Sequence, residues 1–187
     1  LGFASQTSVS NIISGIFLIA EEPFEVGDVI EVGTTRGEVL SVDLISVKVR
    51  TFDNRLVRIP NETLVKTEIT NLTKFPIRRL DITVSIAYKE DFQRVKNILL
   101  DIARKNQYCL QEPEALVHLT AFAESAVSIL FAVWTPTSER ARVKSLIQEE
   151  VKARFDKEGI EIPFPHLSLY AGSKSEPFEV RIERTPA

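Results

Sequence analysis

The sequence holds no methionine, one cysteine, two histidines and one tryptophan in 187 residues. A lone cysteine, Cys109, permits no disulfide within the chain and fits a reducing compartment. It stands beside Tyr108 with no histidine nearby, which reads as a buried, inert thiol rather than a nucleophile. His118 falls inside a strand pattern and His166 between Pro165 and Leu167, with no cysteine or carboxylate at ligand spacing, so no metal site is expected. Gly27, Gly33 and Gly37 sit in strand turns and open no helix, which excludes a phosphate loop or dinucleotide fingerprint; no cofactor is expected. Without a catalytic constellation, the chain is not read as an enzyme. A basic excess is also missing: the net charge of −3 argues against a protein that coats nucleic acid. The longest nearly apolar run, Ile12 to Ala20, is about nine residues, well short of the ~20 that cross a bilayer. There is no basic n-region of a cleavable signal, and the start without methionine, inside a helical pattern, suggests a piece of a longer protein. Asn61-Glu62-Thr63 and Asn71-Leu72-Thr73 match a glycosylation pattern that means little without a secretory signal.

What is present begins with LGFASQTSVSNIISGIFLIAEEPF, Leu1 to Phe24. As a helix it carries an apolar stripe of Phe3, Val9, Ile12, Ile13, Ile16, Phe17 and Ile19, and a small face of Ala4, Ser5, Ser8, Ser14 and Gly15. Small faces let helix backbones approach closely in lipid. From this stretch alone an ordinary amphipathic core helix is the simpler reading. Pro23 stops it. Short β-branched runs follow at Val29–Val32, Gly37–Val42, Ile45–Thr51, Arg55–Ile59 and Glu68–Leu72, broken at Gly27-Asp28, Gly33-Thr34, Asp53-Asn54 and Pro60-Asn61. Roughly five short strands in about fifty residues suggest a small curled barrel of the OB or Sm-like kind.

From Pro76 the texture changes. Ile77–Ala87 alternates at Leu80, Ile82, Val84 and Ile86, and Asp91 can cap a helix whose apolar positions are Phe92, Val95, Ile98, Leu99 and Ile102. Pro113 lies in the exit loop. Ala115–Ala123 and Ala126–Thr135 form a hairpin about Glu124-Ser125. Ser138 is the expected cap of a second helix with Val143, Leu146, Ile147, Val151 and Phe155 inside, and Gly159 its C′ residue. Ile162–Ala171 reads as a last strand. The order β-α-β-β-α-β predicts a ferredoxin-like unit with both helices on one sheet face. The fold class is therefore α+β, with expected units at residues 1–22, 23–73, 74–172 and a tail at 173–187. In the tail, Phe178, Val180 and Ile182 alternate as a lone strand in need of a partner.

Barrels and split-βαβ units often bind single-stranded nucleic acid, and Lys48, Arg50, Arg55 and Arg58 would line such a face with Phe52 as a stacking platform. Against this, Glu31, Glu38, Asp43 and Asp53 interleave with the basic residues, and the second unit lacks a pair of aromatic stacking residues. A mixed, solvated strand face is the simpler reading. A ligand-binding regulatory domain is a third possibility of little weight.

Together, the small-faced helix, PFEVGDVIEVG, GEVLSVDLISVKVRTFDNRLVRIPN, the NLT before Ile77-Arg78-Arg79, and IPFP resemble the small-conductance mechanosensitive channel (MscS) family. The resemblance runs from Leu1 to about Ala171. It implies a homoheptamer in the cytoplasmic (inner) membrane, in contact with lipid and passing ions and small osmolytes on hypo-osmotic shock, with no nucleic-acid partner. This chain would supply the lower end of a pore helix, a β-domain and an α/β domain that build a cytoplasmic vestibule with side portals. On that resemblance Phe3 falls at an apolar pore seal, where a ring of side chains would gate by dewetting. Thr7 occupies a hinge position often held by glycine, and Thr resists a sharp bend more than Gly does. Asn11 and Gly15 match the amphipathic half that lies along the membrane face, Pro60-Asn61 match a turn motif, and Arg78-Arg79 match a basic pair at the domain junction.

Overall fold

The computed structural model describes residues 2–167, with side chains from residue 6 onward. The Phe3 side chain and the tail strand at Phe178, Val180 and Ile182 lie outside the described residues. Helix α1 spans Gly2–Glu21, and Glu22 turns the chain out of it with a positive φ of 45° before Pro23. Five strands follow: β1 (Val29–Val32), β2 (Thr35–Val42), β3 (Ser46–Thr51), β4 (Leu56–Pro60) and β5 (Ile69–Asn71). They form one antiparallel sheet in the order β4-β3-β2-β1-β5. The expected strands are all present. Between β4 and β5 the chain also forms a short helix, α2 (Asn61–Lys66), where the sequence reading placed only a turn. Leu64 is its sole buried apolar side chain, so six residues carry no helical period to detect. Ile30, Val32, Val39, Val47, Val49, Ile59 and Leu64 form this unit's core, joined by Phe24 and by Leu18 from α1.

The second unit contains β6 (Ile77–Ile86), α3 (Phe92–Lys105), β7 (Leu116–Phe122), β8 (Val127–Pro136) and α4 (Arg140–Glu158). Its antiparallel sheet runs β6-β8-β7, with the hairpin closed by the Ala123 N–H donating to the Ala126 carbonyl at 2.8 Å. Leu80, Ile82, Val84 and Ile86 alternate inward as expected and meet Val95, Leu99 and Ile102 of α3 and Val143, Ile147 and Phe155 of α4. Asp91 caps α3 by accepting from the Gln93 N–H at 2.8 Å. Gly159 ends α4 in the left-handed region at φ 69°, where a side chain would be strained.

Two expectations are corrected. Ser138 does not cap α4: it lies in a single 3-10 turn, Thr137–Glu139, and the cap position falls on Glu139 without a side-chain bond. Residues 161–167 form no strand. Pro163 and Pro165 remove two N–H donors from a stretch that has the right apolar content, so it cannot continue a ladder. Only its start touches β6's exit, with the Ala87 N–H donating to the Glu161 carbonyl at 3.0 Å.

The two units meet at Phe75–Arg78. Thr137 donates its N–H to the Pro76 carbonyl at 2.9 Å and its hydroxyl to the Phe75 carbonyl at 2.7 Å. Phe155 is fully buried where α4 crosses the sheet. Phe155→Ala is expected to lower stability by about 3–5 kcal/mol, read as a fall in the urea midpoint at unchanged slope.

Candidate functional site

The residues singled out near the start of the chain converge on one place, the seat of α1 on the β-domain. Gly15 lies so close to the β2–β3 loop that a Cβ there would overlap the Leu44 carbonyl oxygen and the Asn61 amide nitrogen. Asn61, the first residue of α2, is fully buried and donates its side-chain N–H to the Asp43 carbonyl at 2.9 Å, while its backbone N–H donates to the Ile45 carbonyl at 3.2 Å. The Asn61 Oδ1 is buried without a donor among the described residues, so the amide nitrogen alone holds the side chain.

Asn11 supplies the directional contact. The cap position of α2 is Pro60, which has no side-chain acceptor to offer the first free N–H groups. Asn11 Oδ1 reaches across from α1 and accepts from the Glu62 N–H at 3.0 Å. A residue fifty-one positions earlier thus does the work of an N-cap. Its own amide donates to the Thr7 carbonyl at 2.8 Å, which fixes the side chain against its helix. Thr7, Ser8 and Asn11 face Ile45, Arg58 and Pro60 across a shallow cavity of about 220 Å³. The helix runs continuously through Thr7.

Seating α1 on Asn11, Ser14, Gly15 and Leu18 leaves the apolar stripe on the other side. Ser14 and Leu18 are buried, whereas Val9, Ile13, Ile16, Phe17 and Ile19 each expose 50–55% of their surface. The smaller, more polar face is thus the one that meets the chain's own core. Among the described residues, no helix is long and apolar enough to cross a membrane.

The exit of α1 is tied down by a second polar cluster that the sequence reading passed over. Asp28 accepts from the Glu25 N–H at 3.0 Å, the Asn71 amide at 2.8 Å and the Thr73 hydroxyl at 2.7 Å; Asn71 also donates to the Pro23 carbonyl at 3.2 Å. Burial works to raise the Asp28 pKa, but these hydrogen bonds and the nearby Lys74 outweigh it and leave the carboxyl below its ordinary range. The NLT triplet is therefore a structural clasp, and the Asn-x-Thr spacing was its visible trace.

The basic pair is split by strand alternation. Arg79 points to solvent and forms a two-pronged contact with Asp81, at 2.7 and 2.9 Å. Arg78 turns into the junction and donates to the Leu72 carbonyl at 3.1 Å. On the strand face considered for nucleic acid, Lys48 pairs with Asp43, Arg50 with Glu38 and Arg55 with Asp53 at 2.6–2.9 Å, and Arg58 donates to the Ser46 hydroxyl at 3.0 Å. Arg36 covers one face of Phe52, 5.6 Å from the ring centroid. Cys109 is buried, and burial with Glu150 nearby pushes its thiol up to about 11.

Comparison with known proteins follows the same segments. Residues 7–74 match the family described as "Mechanosensitive ion channel, beta-domain", and residues 80–162 match "Mechanosensitive ion channel MscS, C-terminal". The chain belongs to the MscS family. It is 38% identical over 170 residues to an MscS family protein of Archaeoglobus fulgidus, covering 91% of this chain and 60% of that one. It is 30% identical to the small-conductance mechanosensitive channel of Edwardsiella ictaluri, covering 91% and 59%. Among solved structures, Helicobacter pylori MscS in its closed state superposes with a TM-score of 0.86 at 26% identity, over 92% of this chain and 68% of that one. The chain thus spans about three-fifths of the length of these curated MscS relatives.

Two outcomes check the MscS seat. Gly15→Ala is expected to destabilise the β-domain more than Asn11→Ala, whose lost cap costs about 1 kcal/mol; thermal unfolding of the two variants gives the order. Asp28 has a lowered folded-state pKa, so its contribution is present above the ordinary carboxylate pKa and is lost as pH falls through the folded value. Asp28→Asn should therefore lower stability by roughly 1–2 kcal/mol at pH 7 and flatten the acid limb of a stability-versus-pH curve below about pH 4.

Proposed function

We propose that this chain is the lower pore helix and cytoplasmic vestibule of a membrane-tension-gated ion channel subunit. The observation that carries this reading is the orientation of α1: its small, polar face docks on its own β-domain, and Val9, Ile13, Ile16 and Phe17 face outward. An apolar stripe turned away from its own core needs lipid or a neighbouring subunit to cover it. The full subunit would assemble as a homoheptamer in the cytoplasmic membrane, with Phe3 at the pore seal and Thr7, through which the helix here runs on unbroken, at the position of the family's hinge. On the same reading the five-stranded sheet is a small Sm-like barrel, and the second unit, with two helices on a sheet built around β6, β8 and β7, is of the ferredoxin-like kind. The unit boundaries are near residues 22, 73 and 172.

The mechanism follows from area and wetting. Membrane tension favours the state that occupies more bilayer area, so a ring of loosely interlocked helices widens under load without a ligand. Widening wets the apolar constriction, and ions and small osmolytes pass. The β-domain holds each helix at a fixed point through Asn11, Gly15 and Asn61, which keeps the ring in register. Arg78 and Arg79 mark the junction between the units.

The full-length protein in liposome patches is expected to pass current under suction. Ile16→Asp should suppress that current while shifting the unfolding free energy of the soluble part by no more than about 0.5 kcal/mol. A full-length protein that stays monomeric and passes no current would overturn the reading.

A further inference from the structure

A cavity of about 620 Å³ lies between the two units, lined by Arg36, Phe52, Leu72, Arg78, Thr137 and Arg140 among others. Three guanidinium groups from three separate elements, β2, β6 and α4, converge on it. None of the three is joined to a carboxylate by an ion pair among the described residues. Lys48, Arg50, Arg55, Arg79, Arg94 and Arg154 each carry an acidic partner, and the cleft differs from them in gathering three arginines without one into a single space. The Arg140 Nε is shielded from solvent and has no acceptor among the described residues.

The Arg78 guanidinium feels both neighbours. Burial, followed by repulsion from Arg140 and Arg36, pulls the Arg78 pKa below its ordinary value, and Glu31 opposes this only through space. Three like charges held together with one carboxylate nearby, Glu31 opposite Arg36 across the β1–β2 ladder, carry a net positive excess, and an anion with two or more negative charges offsets it. Guanidinium forks match phosphate oxygens two at a time. Phe52 exposes 73% of its surface beside them and offers a flat apolar face at the rim. Thr137 and Ser138 line the same space from the 3-10 turn that precedes α4.

We propose that this interdomain cleft is a binding site for a phosphate-bearing anion, with Arg36, Arg78 and Arg140 as its ligands and Phe52 as a platform for an attached ring. Such a ligand bridges the β-domain and the α/β unit, so binding it stiffens the hinge at Phe75–Arg78. The site is read on the chain itself and does not require that the parent protein conduct.

The test is calorimetric titration of the chain at low salt with pyrophosphate, ATP and a short-chain phosphatidic acid below its micelle concentration. Saturable binding that weakens as salt rises is expected for at least one of them. Arg36→Gln and Arg140→Gln should each weaken it by about tenfold or more. Arg36 is exposed, so the melting temperature of Arg36→Gln is expected to match that of the parent and to separate lost binding from lost folding. Tighter binding of ATP than of pyrophosphate assigns the platform role to Phe52 and is lost in Phe52→Ala. Binding of the lipid alone makes the ligand a headgroup rather than a free phosphate. Absence of saturable heat with all three, or affinity unchanged in Arg36→Gln and Arg140→Gln, overturns the proposal.

Discussion

The structure depends on one close approach, the backbone of Gly15 against the Leu44 carbonyl, with the Asn61 amide wedged beside it. Nothing bulkier than hydrogen fits at that point, so residue type there decides how deeply α1 can sit. Depth in turn decides whether Asn11 reaches the Glu62 N–H and whether Leu18 enters the β-domain core. The contact is made of backbone and amide groups, with the Asn61 side chain satisfied on its nitrogen only. It therefore fixes position through geometry more than through apolar area, and it leaves the larger apolar surface of α1 free for other partners.

Much of this was legible in the residues. Alternation at Leu80, Ile82, Val84 and Ile86, the Asp91 cap and the Gly159 terminus each have one dominant local cause, and each appears where that cause put it. The apolar stripe of α1 was legible as a stripe, but periodicity records only that a face avoids water, not whether core, lipid or a second subunit covers it. The resemblance to MscS proteins placed this helix along the membrane face, and only the fold shows which of its faces turns outward. Helix α2 was invisible because a single buried leucine makes no pattern. The final strand was misread over 162–167 because apolar content was weighed above the donors lost at Pro163 and Pro165. Arg78 and Arg79 were read as one pair, although a strand sends neighbours to opposite faces. Only the fold shows that one meets Asp81 and the other two arginines.

The surface electrostatics follow a simple division. Across the strands of the β-domain and along α3 and α4, cations sit beside carboxylates in exposed pairs whose individual contributions are small. Their collective effect is a nearly neutral exterior that neither attracts nor repels strongly at physiological salt. The cleft between the units departs from this pattern, and the departure is concentrated at the one place where relative motion of the two units would change the distance between charges.

The sheet order also governs the sequence of events as the chain is made. In the β-domain every strand except the last pairs with one adjacent in sequence, and β5 returns to β1, so this unit can close soon after Asn71 has left the ribosome. The second unit cannot do the same. Among the described residues β6 pairs with β8 alone, and the whole of α3 and β7 must be synthesised before that partner exists. Until then an edge bearing Leu80, Ile82, Val84 and Ile86 waits without its ladder, and closing it is a long-range event of the kind that slows folding. The early-folding β-domain is then the platform on which the slower half is completed.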